Sequence, residues 1–235
     1  MSTTLRSLSR SVGRSRLRLG AGLALAVVLL TGCAGLQPGV AIVVGDEQIS
    51  VNEVDDLASS ICDLEEANPT QGQDSGTQVV GSQVRNSAMQ ALALRSIADQ
   101  LAADYGIEAG QDYQAAADQV RLQYGGVDSD LVDAAMPAYT SGAYFVSILR
   151  QIGAQESGAD QDSDEALAAG IKVAQQWEDD HEIETNPSFD SFSIGDSSIE
   201  SERSDLARAA GDTAKKAATA DAAYIATLPS TQRCG

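Results

Sequence analysis

Three cysteines constrain this chain more than any other feature: Cys33, Cys62 and Cys234, spread over 235 residues. Where each thiol ends up decides how the chain can close. The first follows a segment of unusual composition. Arg6, Arg10, Arg14, Arg16 and Arg18 precede it, no acidic residue occurs before it, and an apolar run extends from Leu19 to Leu30. About a dozen apolar residues are too few to cross a bilayer as a helix, and they suit the apolar region of an export signal.

The run ends in Leu30-Thr31-Gly32-Cys33, which resembles the lipobox of bacterial lipoproteins. The resemblance implies that Thr31 and Gly32 are small enough to enter a signal peptidase. It also implies that the Cys33 thiol carries a diacylglyceryl thioether and that cleavage makes Cys33 the mature N-terminus. Residues 1–32 are then a removable signal and residues 33–39 a short tether. The protein reaches the membrane through its N-terminal lipid only, on the extracytoplasmic face of the cell membrane. The alternatives are an ordinary signal peptide and an uncleaved signal anchor. Outside the cytoplasm thiols meet oxidising conditions. Cys62 and Cys234 are the pair left over, and we expect them to form a disulfide that ties the last residues to an early helix. Closing so long a loop favours the folded state by about 4–5 kcal/mol.

Charge excludes one class of partner. The chain carries 15 basic and 34 acidic side chains, a net −19. Without the five arginines of residues 1–32 the balance moves to −24. Nucleic-acid binding requires the opposite sign. The same charge keeps the body off anionic lipid headgroups and makes cationic peptide segments the attractive partners.

The β-branched run Val40 to Val44 and the turn signal Gly45-Asp46 predict a short strand and a tight turn. Ser50, with Glu53 three residues later, forms a capping box for a helix whose apolar residues are Val51, Val54, Leu57, Ala58, Ile61 and Leu64. Cys62 lies at the flank of that face, and Asn68-Pro69 ends the helix. The spacing of Val80, Val84, Ala91, Leu94, Ala98, Leu101 and Tyr105 predicts a long helix over 78–105, stopped by Gly106. Tyr113, Ala116, Val120 and Tyr124 predict a third. Asp128 or Ser129 opens a short fourth, limited by Pro137. Tyr144, Phe145, Ile148, Leu149 and Ile152 mark a fifth, and an acidic loop starts at Gly153. A sixth covers 163–181. Ile183, Phe189, Phe192 and Ile194 alternate around Asn186-Pro187 as one or two late strands. Residues 195–220 read as an extended or weakly helical arm, followed by a last helical turn or two. The expected fold is therefore mainly α, with a small two- or three-stranded sheet pairing an early and a late strand. The helical domain covers 40–194, and the arm 195–235 is tied back by the disulfide.

The stretch "VAIVVGDEQISVNEVDD" resembles the start of the N-terminal domain of the SurA/PrsA class of extracytoplasmic folding factors, in which a strand, a small turn and Ile-Ser open the first helix. "ALALRSIADQLAADYGIEA" is similar to the second helix of that family, and the match runs over roughly residues 40–182. "NPSFDSF" and "YIATLPSTQRCG" are similar to an actinobacterial lipoprotein branch of the group. The resemblance implies a chaperone-like domain that holds unfolded or extended polypeptide. Many relatives carry a parvulin-type prolyl isomerase domain of on the order of a hundred residues, needing His. Only about fifty residues follow the sixth helix here, without one, so the isomerase activity does not carry over.

Other chemistry finds little support. His181, the single histidine, lies among Glu178, Asp179, Asp180 and Glu182 without an HExxH spacing, as in a solvated helix end. Asp160, Asp162 and Asp164 have calcium-loop spacing, but Glu165 and Ile171 stand where that loop requires Gly and Glu; they read as a cap for the sixth helix. Trp177, Tyr139, Tyr144 and Phe145 read as core. We expect no catalytic residue, metal ligand or cofactor. The expected function is a lipid-anchored polypeptide-binding holdase, or alternatively a structural adaptor that holds one envelope protein.

Overall fold

A computed structural model describes residues 38–68, 79–195, 199–202, 211–218 and 222–234. The signal segment and Cys33 lie outside the described residues, as do most of the loop after Asn68 and parts of the C-terminal arm.

The chain enters through a hairpin. β1 (Val40–Val44) pairs antiparallel with β2 (Glu47–Ser50) across the two-residue turn Gly45-Asp46. Gly45 is required there twice over. Its φ is +56°, and a Cβ would come 2.5 Å from Oε1 of Gln100 and 3.1 Å from the Trp177 ring. Gln100 also donates to the Val44 carbonyl, which fixes the hairpin to a helix 56 residues away.

Ser50 then caps α1 (Val51–Ala67) with the expected box: its Oγ accepts from the Glu53 N–H, and the Glu53 carboxylate accepts from the Ser50 N–H. The bond from the Ser50 N–H, and after it one from the Ser50 hydroxyl to the same carboxylate, hold the Glu53 carboxyl below its ordinary value of 4.5. A depressed folded-state pKa stabilises above the unfolded value and loses that contribution as pH falls through the folded one. The wild type should therefore exceed Glu53→Gln in stability at neutral pH, and the gap should shrink as pH falls below the ordinary value of 4.5. Unfolding titrations of both proteins across that range check this. Ser50→Ala should cost about 1 kcal/mol at neutral pH.

β3 (Val79–Val80) leads into α2 (Gly81–Tyr105), so the long helix starts later than its apolar spacing suggests. β3 takes the first two residues because it pairs with the C-terminal tail, a partner distant in sequence. Gly106 ends α2 in the left-handed conformation. α3 (Gln111–Gln123) follows.

The expected short fourth and separate fifth helices are one element, α4 (Ser129–Ser157), with Pro137 inside it. Proline removes one backbone hydrogen bond, here the one to Asp133, and crowds that turn, at a cost of about 3 kcal/mol. Asp133 is exposed, so water can reach its carbonyl. Ala135 and Met136 before the proline and Thr140 and Tyr144 after it are buried, so packing on both sides outweighs the break. The acidic loop also shortens: residues 153–157 are helical, and Gly158 ends α4. α5 (Asp164–Asp180) is capped by Ser163, whose Oγ accepts from the Ala166 N–H, and not by the aspartates. Asp160 instead receives the Asp162 N–H within the turn.

β4 (Ile183–Thr185) closes the fold by pairing antiparallel with β1, giving the sheet order β2-β1-β4. This is the early–late pairing expected from sequence. Asn186 completes it: its N–H donates to the Ala41 carbonyl and its side chain to the Val40 carbonyl. β5 (Ser191–Ile194) leaves that sheet and pairs with β6 (Ile199–Glu202) in a second one. α6 (Asp212–Ala218), α7 (Ala222–Ile225), a 3-10 turn at Ser230–Gln232 and β7 (Arg233–Cys234) follow, and β7 pairs with β3.

The fold is thus mainly α with a small antiparallel sheet. The main core lies where α2, α4 and α5 meet the hairpin, and includes Ile42, Val44, Ile97, Leu101, Ile148, Ile152 and Trp177. A smaller core gathers Leu64, Val120, Tyr124, Val132 and Met136 between α1, α3 and α4. α4 and α5 form the most extensive helix pair, and they meet through glycines. A Cβ on Gly153 would lie 1.7 Å from the Ala166 oxygen, and one on Gly170 would lie 2.0 Å from the Leu149 oxygen.

Candidate functional site

The C-terminal tail returns to α1. Cys62, half-buried on α1, and Cys234, buried on β7, are joined as a disulfide with a Cα–Cα distance of 5.2 Å across 172 residues. Cys62 lies at the flank of the apolar face, packed against the main core, where it meets Cys234, itself part of that core.

This junction forms one side of a groove of about 670 Å³. The helix face along it comes from α1: Asp55, Ser59, Asp63 and Glu66 recur at three- and four-residue steps and so share one side of the helix. The opposite wall is the tail, through Thr231, Gln232 and Arg233. The apolar lining is Ala58 of α1, Val80 of β3 and Val84 of α2; Ala58 and Val84 are buried. The tail lies close over the start of α2: a Cβ on Gly81 would be in ordinary van der Waals contact with the Gln232 backbone, at 3.4 Å.

Charges in the groove are unevenly matched. Arg85 donates to Asp55 at 2.5 Å and lies 5.1 Å over the Phe189 ring, which fixes the Asn-Pro-aromatic loop to α2. Asn86 reinforces that attachment by donating to the Asp190 carboxylate and accepting the Asp190 N–H. Arg233 donates to the Ala226 carbonyl. Asp63 and Glu66 are exposed and have no hydrogen bond or ion pair among the described residues.

The aromatic residues expected in the core are there, with their hydroxyls tied to acids. Tyr124 and Tyr139 both donate to Glu65, and Tyr144 donates to Asp99. Burial, then the hydrogen bond to Asp99, pushes the Tyr144 hydroxyl up to about 12, and burial followed by the Glu65 contact raises Tyr139 as well. These phenols stay protonated at neutral pH and act as fixed donors. Trp177 is buried and stacks on His181 at 4.2 Å. His181 Nδ1 lies 2.8 Å from the Trp177 carbonyl, which can only accept, so Nδ1 carries the proton. The histidine thus closes the end of α5. Among the described residues no group of three or more His, Cys, Asp or Glu is arranged to hold a metal ion.

Sequence reasoning placed Cys62 and Cys234 together but missed the groove they flank. The three- and four-residue steps of Asp55, Ser59, Asp63 and Glu66 are a signal for one wall. Nothing local in residues 231–233 indicated the other. Comparison with family models finds no match for this chain, and neither does comparison with curated proteins. Comparison with solved structures likewise finds none.

Proposed function

We propose that this chain is a lipid-anchored extracytoplasmic protein that works by binding another envelope protein, without catalysis. Cys33 supplies the acyl anchor, and the disulfide-closed body supplies the binding surface. The observation that carries the reading is the character of that surface. A holdase for many unfolded clients needs open apolar area. Among the described residues Leu122, at 83% exposure, and Val146, at 38%, are the large hydrophobics left open, and they are not part of the groove. A groove with charged walls and a short apolar lining suits one partner of matching shape and charge better than a range of unfolded chains.

The oxidising compartment fits the same reading, because the cross-link at Cys62 and Cys234 forms and persists there. Crosslinking in the native cell, followed by purification, tests the proposal. One partner at a fixed ratio is expected. Many weak, substoichiometric clients, together with slowed aggregation of a denatured protein by the purified chain, would support the SurA/PrsA-like holdase instead.

A further inference from the structure

We infer that the groove between α1 and the C-terminal tail receives an extended basic segment of the partner, with Lys or Arg at alternate positions, and that Asp63 and Glu66 bind its charges. This rests on the reading of the protein as a partner-binding adaptor and names where, and by what chemistry, it binds.

The first support is the balance of charge. Both arginines that face the groove are engaged, Arg85 by Asp55 and the Phe189 ring, Arg233 by the Ala226 carbonyl. Asp63 and Glu66 are not, and three carboxylates against two guanidinium groups leave the lining of the groove with a net charge of −1.

The second is the position of those carboxylates. They lie in the last two turns of α1, which carry no basic residue in the final turn. Acidic side chains at a helix C-terminus face the negative end of its dipole and weaken the helix. Glu65 between them is bound by Tyr124 and Tyr139 in the smaller core. Asp63 and Glu66 have no such internal role, and both the helix end and the paired carboxylates favour an incoming cation.

The third is shape. The groove's apolar lining can take the methylene stems of Lys or Arg while their charged heads reach the carboxylates. Residues three apart on a helix have Cβ atoms about 5–6 Å apart. Alternate residues of an extended chain lie on one face about 6.6 Å apart. From Asp55 to Glu66 the helix rises about 16 Å, enough to face about five residues of extended chain.

The test uses a fluorescently labelled heptapeptide alternating Lys and Thr, with a peptide of the same composition but its lysines in one block. Both are titrated into the full chain by anisotropy at low and physiological salt. The alternating peptide should bind tighter. Asp63→Asn with Glu66→Gln should weaken it at least tenfold. Removing the same charge at the exposed end of α5, by Asp179→Asn with Asp180→Asn, should change it less than twofold. Equal losses in the two double variants, or no preference for alternation, would mean non-specific attraction to an acidic protein and would overturn the site. The in-cell crosslinking separates the two levels. A partner captured equally by wild type and by the Asp63→Asn, Glu66→Gln protein leaves the adaptor reading standing and refutes this groove. Site-specific peptide binding with no stoichiometric partner does the reverse.

Discussion

Gly170→Ala is expected to destabilise the protein by about 3 kcal/mol, although alanine is the better helix former by about 1 kcal/mol. The added Cβ would stand 2.0 Å from the Leu149 oxygen and 2.6 Å from its carbonyl carbon. Both atoms belong to the backbone of α4, so no side-chain rotation relieves the contact. The two helices must separate, and the buried contacts of Leu149, Ile152 and Ala174 loosen with them. Gly153→Ala should behave alike, because its Cβ would meet the Ala166 oxygen at 1.7 Å. Gly142→Ala is the control: it lies on the same helix, is exposed, and a Cβ there meets nothing within 4 Å. That variant should be stabilised by up to about 1 kcal/mol. Urea unfolding of the three variants separates the effects. If Gly170→Ala and Gly142→Ala shift the midpoint alike, the glycine-mediated crossing of α4 and α5 is wrong.

Removing the disulfide should have a larger effect still, and by a different route. The Cys62–Cys234 link closes a loop of 172 residues, and the entropy it removes from the unfolded chain amounts to about 4–5 kcal/mol. At 2–4 °C per kcal/mol for a domain of this size, Cys62→Ala with Cys234→Ala should melt roughly 10–20 °C lower. The loss should come mainly from the unfolded state, since Ala can fill both positions without a new polar group. Among the described residues the tail would then be held by the two-residue β3–β7 pairing, by packing on α1 and α2 and by the buried Ile225, without a covalent tie. Hydrogen exchange at positions 233 and 234 should therefore quicken more than exchange in α2 or α4. Adding reductant to the wild type should reproduce the low melting temperature. A variant melting within about 2 °C of the untreated wild type would show that the link does not stabilise this fold.

The features that sequence reveals are those determined by near neighbours. Ser50 and Glu53 define a helix start within four residues. Gly45-Asp46 marks a turn, and Gly106 a helix end. Cys62 and Cys234 pair across the chain, but elimination rather than geometry identifies them. Residues whose role depends on a distant partner are hidden. Pro137 reads as a helix end because its local cost is visible and the packing that outweighs it is not. Gly153 reads as the start of a loop, and Gly170 as an unremarkable helix residue, since nothing near either reveals the backbone crossing between them. Val79 and Val80 fall within the helix expected over 78–105 but pair with a tail that arrives more than 150 residues later. The groove is hidden for the same reason: α1 provides its acids, and only the returned tail turns that helix face into a cleft.

Intact mass spectrometry of protein purified from its native cells tests the whole account most directly. The expected product is a chain that begins at Cys33 and carries acyl groups there, with Cys62 and Cys234 resisting alkylation until reductant is added and then each taking one label. An unprocessed chain beginning at Met1, without lipid and with both later thiols labelled at once, would contradict the envelope location, the closed tail and the groove that depends on it.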